Sequence, residues 1–95
     1  MADYQLSPAA ESDINSIYNY TFETFGPRQA DRYLQDLHNA MQRLATMPEL
    51  RRKADWRAGL FRYRFKSHMV FYTIEPDGLM IRRVLHMRMD FGSRL

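Results

Sequence analysis

GLFRYRFKSHMVFYTIEPDGLMIRRVLHMRMD, from Gly59 to Asp90, decides how this chain folds. Phe61, Tyr63 and Phe65 alternate with Arg62, Arg64 and Lys66, and a period of two is what a β-strand with one buried and one solvated face requires. Ser67 and His68 mark a turn or its edge. Met69 to Ile74 is then dense in β-formers, with Val70, Phe71, Tyr72 and Thr73 in succession. Pro76, Asp77 and Gly78 supply a hairpin turn, because proline presets one turn dihedral and glycine tolerates the backbone geometry of a tight reversal. A further strand runs from Leu79 to His86. The stretch therefore reads as three consecutive strands that place aromatic and aliphatic residues on one side and a row of cations, Arg62, Arg64 and Lys66, on the other. Such a row is either a merely solvated face or a face offered to a partner.

Upstream of this stretch the period changes from two to that of a helix. Tyr4 to Leu6 suits a short first strand, stopped by Ser7 and Pro8. Ser7 is placed to cap a helix, and Pro8 stands at the first helical position, where its missing N–H is no loss. Ala10, Ile14, Ile17, Tyr18, Phe22 and Phe25 follow at helical spacing and give one oily face. Gly26 and Pro27 end this helix and start the next. In that second helix Ala30, Tyr33, Leu34, Leu37, Met41 and Leu44 recur at three and four residues, up to Pro48. So short a link makes the two helices fold back as a hairpin, and their shared apolar face needs the sheet to cover it. Residues 48 to 60 form a polar connector bearing Arg51, Arg52, Lys53 and Arg57 together with the only tryptophan, Trp56, which either caps the edge of the core or anchors a partner. The tail after His86 has no assigned element. The expected architecture is α+β, a single domain over residues 1–95 in the order β-α-α-β-β-β, with a helical hairpin packed on a small, mainly antiparallel sheet.

Composition narrows the chemistry. At 45% hydrophobic and 14% aromatic residues the chain is globular rather than disordered. It has no cysteine, which removes disulfides, thiolate zinc sites and cysteine nucleophiles and fits a reducing cytoplasm. No leader and no membrane-length apolar run is seen, so the expectation is a soluble cytoplasmic protein with no membrane partner. His38, His68 and His86 stand isolated, and neither a glycine-rich phosphate loop nor a paired-carboxylate motif occurs, so no metal and no cofactor is expected. The net charge of +3 is unevenly spread: residues 1–50 sum to −4 and residues 51–95 to +7. The basic half is the β half, and its field attracts polyanions, either nucleic acid or an acidic protein segment.

One enzymatic reading survives these exclusions. Cleavage of RNA without metal needs a base for the 2′-hydroxyl, an acid for the leaving oxygen and cations for the phosphorane charge. Arg62, Arg64, Arg83, Arg88, His68 and His86 are the residues that could supply them. Nearby arginines would depress the pKa of either histidine, and each histidine equally reads as a hydrogen-bonded structural residue.

The opening LSPAAESDI with Tyr18 and Tyr20 following, the RAGLFRY segment from Arg57, the SHMVFY run from Ser67 to Tyr72 and the RVLHMRMD ending at Arg83 to Asp90 together resemble the ParE branch of the RelE/ParE toxins. The resemblance spans nearly the whole chain. It implies the toxin of a bacterial type II toxin–antitoxin module, of the kind associated with plasmid stabilisation and growth arrest, neutralised by a ParD-like antitoxin and acting on DNA gyrase by binding rather than by catalysis. The RelE branch instead cleaves mRNA on the ribosome, using basic residues of the connector and sheet, a late arginine and a tyrosine beyond it. Arg88 matches the late arginine. No tyrosine follows Tyr72, and Phe91, Ser93 and Arg94 occupy the tail instead; phenylalanine has no proton to exchange. Three functions follow as alternatives: a gyrase inhibitor, a ribosome-dependent endoribonuclease using Arg88 with His68 or His86, and a member of the fold that only binds its partner. The residues expected to meet antitoxin or target are Trp56, Arg57, Arg62, Arg64, His68, Arg83, His86 and Arg88, with direct contact to nucleic acid left open.

Overall fold

The computed structural model describes residues 3–95 and holds the helical hairpin against one face of a five-stranded sheet. The elements are β1 (Tyr4–Leu6), α1 (Pro8–Phe25), α2 (Pro27–Thr46), a short 3-10 turn (Pro48–Leu50), β2 (Arg52–Lys53), β3 (Phe61–Phe65), β4 (His68–Glu75), β5 (Gly78–His86) and α3 (Phe91–Arg94). The strand order is β1-β5-β4-β3-β2. β1 lies parallel to β5, and every other neighbouring pair is antiparallel. The expected order is thus present, with two additions: β2, a two-residue edge strand inside the basic connector, and α3 in the tail. Neither carries enough periodic residues to announce itself.

Local chemistry sets the joints. The Ser7 hydroxyl accepts the Ala10 N–H at 3.0 Å and donates to the Arg82 carbonyl at 2.9 Å, so one side chain starts α1 and ties it to β5. Gly26, at φ 94°, donates its N–H to the Phe22 carbonyl and lets Pro27 open α2. Lys66 is not the end of β3 but the first residue of the two-residue turn into β4, where it adopts φ 53°. Arg82 is the extra residue of a bulge in β5, because Phe71 pairs with Arg83 while Tyr72 pairs with Ile81.

The main core lies between hairpin and sheet. Ala10, Ile14, Leu37, Met41 and Leu44 of the helices meet Phe65, Val70, Tyr72, Leu79, Ile81 and Val84, with Phe61 and Tyr63 packed at its edge. The buried stripe of α1 follows Ala10, Ile14 and Thr21; Phe22 and Phe25, placed by periodicity on the oily face, are instead 45% and 59% exposed. The second face of the sheet is not simply wet. Met69, Phe71 and Leu85 are buried there beneath Leu60 and Ala54, with Met87, Phe91 and Leu95 packed on them. No helix among the described residues is long and apolar enough to cross a membrane.

Candidate functional site

The register divides the sequence-predicted residues between two faces. His68 and His86 are cross-strand partners, and they share the helix-side face with Phe65, Val70 and Val84. Arg62 and Arg64 point the other way, opposite Phe71 and Met69. The six residues offered for metal-free RNA cleavage are therefore not one cluster: Arg88 stays beside the histidines, its N–H on His86, and Arg62 and Arg64 do not.

At the helix-side end, the two imidazole rings stand edge-to-face with centroids 5.2 Å apart. Tyr33 Oη of α2 lies 2.6 Å from His68 Nδ1. The Arg88 N–H donates to His86 Nδ1 at 3.1 Å. Burial, and then the neighbouring His86, hold the His68 pKa down at about 4. The arginines expected from sequence to do this are not the cause. Burial also pushes the Tyr33 phenol up to about 12. His68 is accordingly neutral near pH 7, a hydrogen-bonding group in an apolar setting. Around it opens a cavity of about 620 Å³, lined by Ile17, Tyr20, Phe25, Tyr33, His68 and His86 among others, with Lys66 at its rim. Tyr20 is 66% exposed and, with Phe25, presents aromatic surface at the mouth. Sequence reasoning missed Tyr20, Phe25 and Tyr33 as members of this groove; for Tyr20 and Phe25 the signal was that α1 carries more aromatic residues than its core stripe can hide.

On the outer face Phe71 is the floor of an aromatic cluster. Trp56 and Phe91 meet it edge-to-face at 5.8 and 5.1 Å, and each other at 5.6 Å. Trp56 thus caps the second core while keeping 48% of its surface exposed. Arg62 and Arg64 flank this cluster, each giving Nε to a backbone carbonyl, of Lys53 and Lys66 respectively. Arg57 is exposed in the loop between β2 and β3, and Arg88 in the turn after β5. Arg83 is different. Its Nε and Nη2 donate to Asp13 at 2.7 and 2.9 Å, and its Nη1 donates to the Arg94 carbonyl. The bonds to Asp13 raise its pKa further. Arg83 is committed inside the molecule, joining α1, β5 and α3. Among the described residues no group of three histidine, aspartate or glutamate side chains could hold a metal ion.

The fold matches a chromosomal ParDE toxin–antitoxin system from P. aeruginosa with a TM-score of 0.78 at 17% identity, covering 90% of this chain and 96% of that one. It matches a YoeB–YefM complex from Staphylococcus aureus with a TM-score of 0.58 at 15% identity, over 90% and 97% of the two chains. The α+β architecture is shared with both of these solved structures. Residues 4–91 match the model of the ParE toxin of the type II toxin–antitoxin system parDE, and this chain belongs to that family. Toxin ParE1 of Mycobacterium tuberculosis is 37% identical over 94 residues, 97% of this chain and 96% of its own. Toxin ParE1 of Caulobacter vibrioides is 32% identical over 96 residues, 100% of this chain and 99% of its own.

Proposed function

We propose that this ParE-family toxin arrests growth by binding DNA gyrase in the cytoplasm, without catalysis of its own, and that a ParD-like antitoxin neutralises it. The reading of inhibitor over nuclease is supported by where the candidates lie: His68 and His86, the available acid–base pair, are on the opposite face of the sheet from Arg62 and Arg64, and Arg83 is held by Asp13, which leaves Arg88 alone of the four arginines beside them. A phosphoryl-transfer site needs those groups around one phosphate. The missing late tyrosine argues the same way, because Phe91 is packed against Trp56 and Phe71 and offers no proton.

The antitoxin is assigned to the groove beside His68. A segment disordered when free can place an aromatic or aliphatic anchor between Tyr20, Phe25 and Tyr33 and hydrogen-bond to the imidazole edges. Changing Phe25 to Asp is expected to weaken antitoxin binding at least ten-fold, measured by calorimetry with the cognate protein, while leaving the unfolding midpoint almost unmoved because Phe25 is largely exposed. Arg57, Arg62, Arg64 and Arg88 are left for the target, with Trp56 as the aromatic element of that surface. Arg83, being paired with Asp13, serves the fold of that surface rather than its contacts.

The test is pulse-labelling of DNA, RNA and protein synthesis after induction of the toxin alone. DNA synthesis is expected to stop first, with co-expressed antitoxin preventing it. Protein synthesis stopping first, with mRNA cut at ribosomes, would overturn the reading.

A further inference from the structure

We propose that the outer edge of the sheet, Arg52, Arg57, Arg62 and Arg64, is a duplex nucleic-acid surface that grips the phosphate backbone without reading sequence. The cations there are uncompensated. The salt bridges of the described residues engage Lys66, Arg82 and Arg83, and none includes these four. Arg52 and Arg62 are direct cross-strand partners, so two guanidinium groups face the same way from adjacent strands. Like charges directly opposite one another destabilise a sheet, and an anion that neutralises both relieves that repulsion. Each of these two groups is anchored by backbone carbonyls only: Arg52 Nη1 donates to Glu49 and Arg51 at 3.1 Å, and Arg62 Nε to Lys53 at 3.3 Å. Their remaining N–H groups are free to fork onto phosphate oxygens.

The surroundings decide between kinds of polyanion. An acidic polypeptide that folds on binding needs apolar anchors beside its charges. At this edge the exposed large apolar residue is Trp56, whereas the groove that could take such anchors lies across the sheet. A single strand would be held by bases stacked on free aromatic faces. The Trp56 indole is instead locked edge-to-face on Phe71 and Phe91. What remains is a row of cations on a flat edge, which suits a duplex backbone read by charge alone. The inference goes beyond gyrase as target; it draws on arginines that the proposed function also offers to that target, and the assay omits gyrase so that the two readings fail separately.

The experiment is fluorescence anisotropy of the full chain, free of antitoxin and gyrase, titrated into a labelled 20-base-pair DNA duplex and the corresponding single strand at several salt concentrations. If about four phosphates are neutralised, log K falls with log salt at a slope of about −3.6, roughly a hundred-fold loss between 50 and 200 mM. The R62A/R64A double variant should halve that slope and weaken binding at least ten-fold, whereas R62K/R64K should retain most of it. R28A, which removes an exposed cation from α2, should change neither. Binding that is absent, independent of salt, tighter to the single strand, equally reduced by R28A, or displaced by polyglutamate as readily as by unlabelled duplex would overturn the proposal. Gyrase inhibition by the same variants is read separately, so failure of one idea leaves the other measurable.

Discussion

Asp13 sits on the second turn of a helix that otherwise shows polar residues to solvent, yet its carboxylate gathers three donors: Arg83 Nε, Arg83 Nη2 and the Val84 N–H. β1 pairs with β5 only as far as Ile81, so Val84 lies where the edge of β5 has no strand beside it, and Asp13 supplies the acceptor instead. Changing Asp13 to Ala leaves a partly buried guanidinium and a backbone donor unpaired, with an expected loss of about 2–4 kcal/mol. Thermal unfolding checks this, at roughly 4–8 °C per kcal/mol for a domain of this size. His68 makes a second residue-scale prediction. Its folded pKa of about 4 lies below the ordinary 6.5, so below pH 6.5 the unfolded chain takes up a proton that the folded chain refuses. Its contribution to stability is therefore full above pH 6.5 and declines as pH falls toward 4, by an amount on the order of 2 kcal/mol. Urea unfolding from pH 7 to 4.5 should show a gentler decline for His68→Asn than for the natural chain. Parallel curves would contradict the assignment.

Among elements, the two hairpins and the helix pair were legible because their signals are local. Ser7-Pro8, Gly26-Pro27 and Pro76-Asp77-Gly78 each combine residue types that force a start, a break or a reversal. β2 and α3 were not legible, since a two-residue edge strand and a four-residue helix exist only through what they pack on. The alternation in β3 was read correctly but its outer side was not. Phe71 and Met69 look like core residues of either face until the register is known, and it is the register that puts them under Trp56 and Phe91. Gly78 tests how tightly β1 is held. At φ 142°, a Cβ added there would clash with the Asp3 carbonyl oxygen, the same oxygen that accepts the Leu79 N–H. Gly78→Ala should therefore push the entry to β1 off β5 and cost about 1–3 kcal/mol, with amide exchange rising first at residues 79 to 81. Exchange rising first in α2 would refute that account.

Across the whole molecule, the charge asymmetry of the sequence becomes a spatial one. The basic half of the chain builds the sheet and its outer edge, and the acidic half builds the hairpin behind it. Sequence could place cations on a strand but could not say which ones are spoken for. Arg83 belongs to Asp13 and Lys66 to Asp36, and both acids are dozens of residues away along the chain. Nor could it show that His68 and His86 turn their backs on Arg62 and Arg64, a separation that supports the choice of inhibitor over nuclease. That choice is tested most directly with purified gyrase, supercoiled plasmid and this protein free of antitoxin, stopping the reaction with detergent and protease. The account predicts linear DNA accumulating with toxin dose, less of it with R62A/R64A, and none when the antitoxin is added first. Intact plasmid at every dose, together with cut mRNA in a parallel translation reaction, would contradict it.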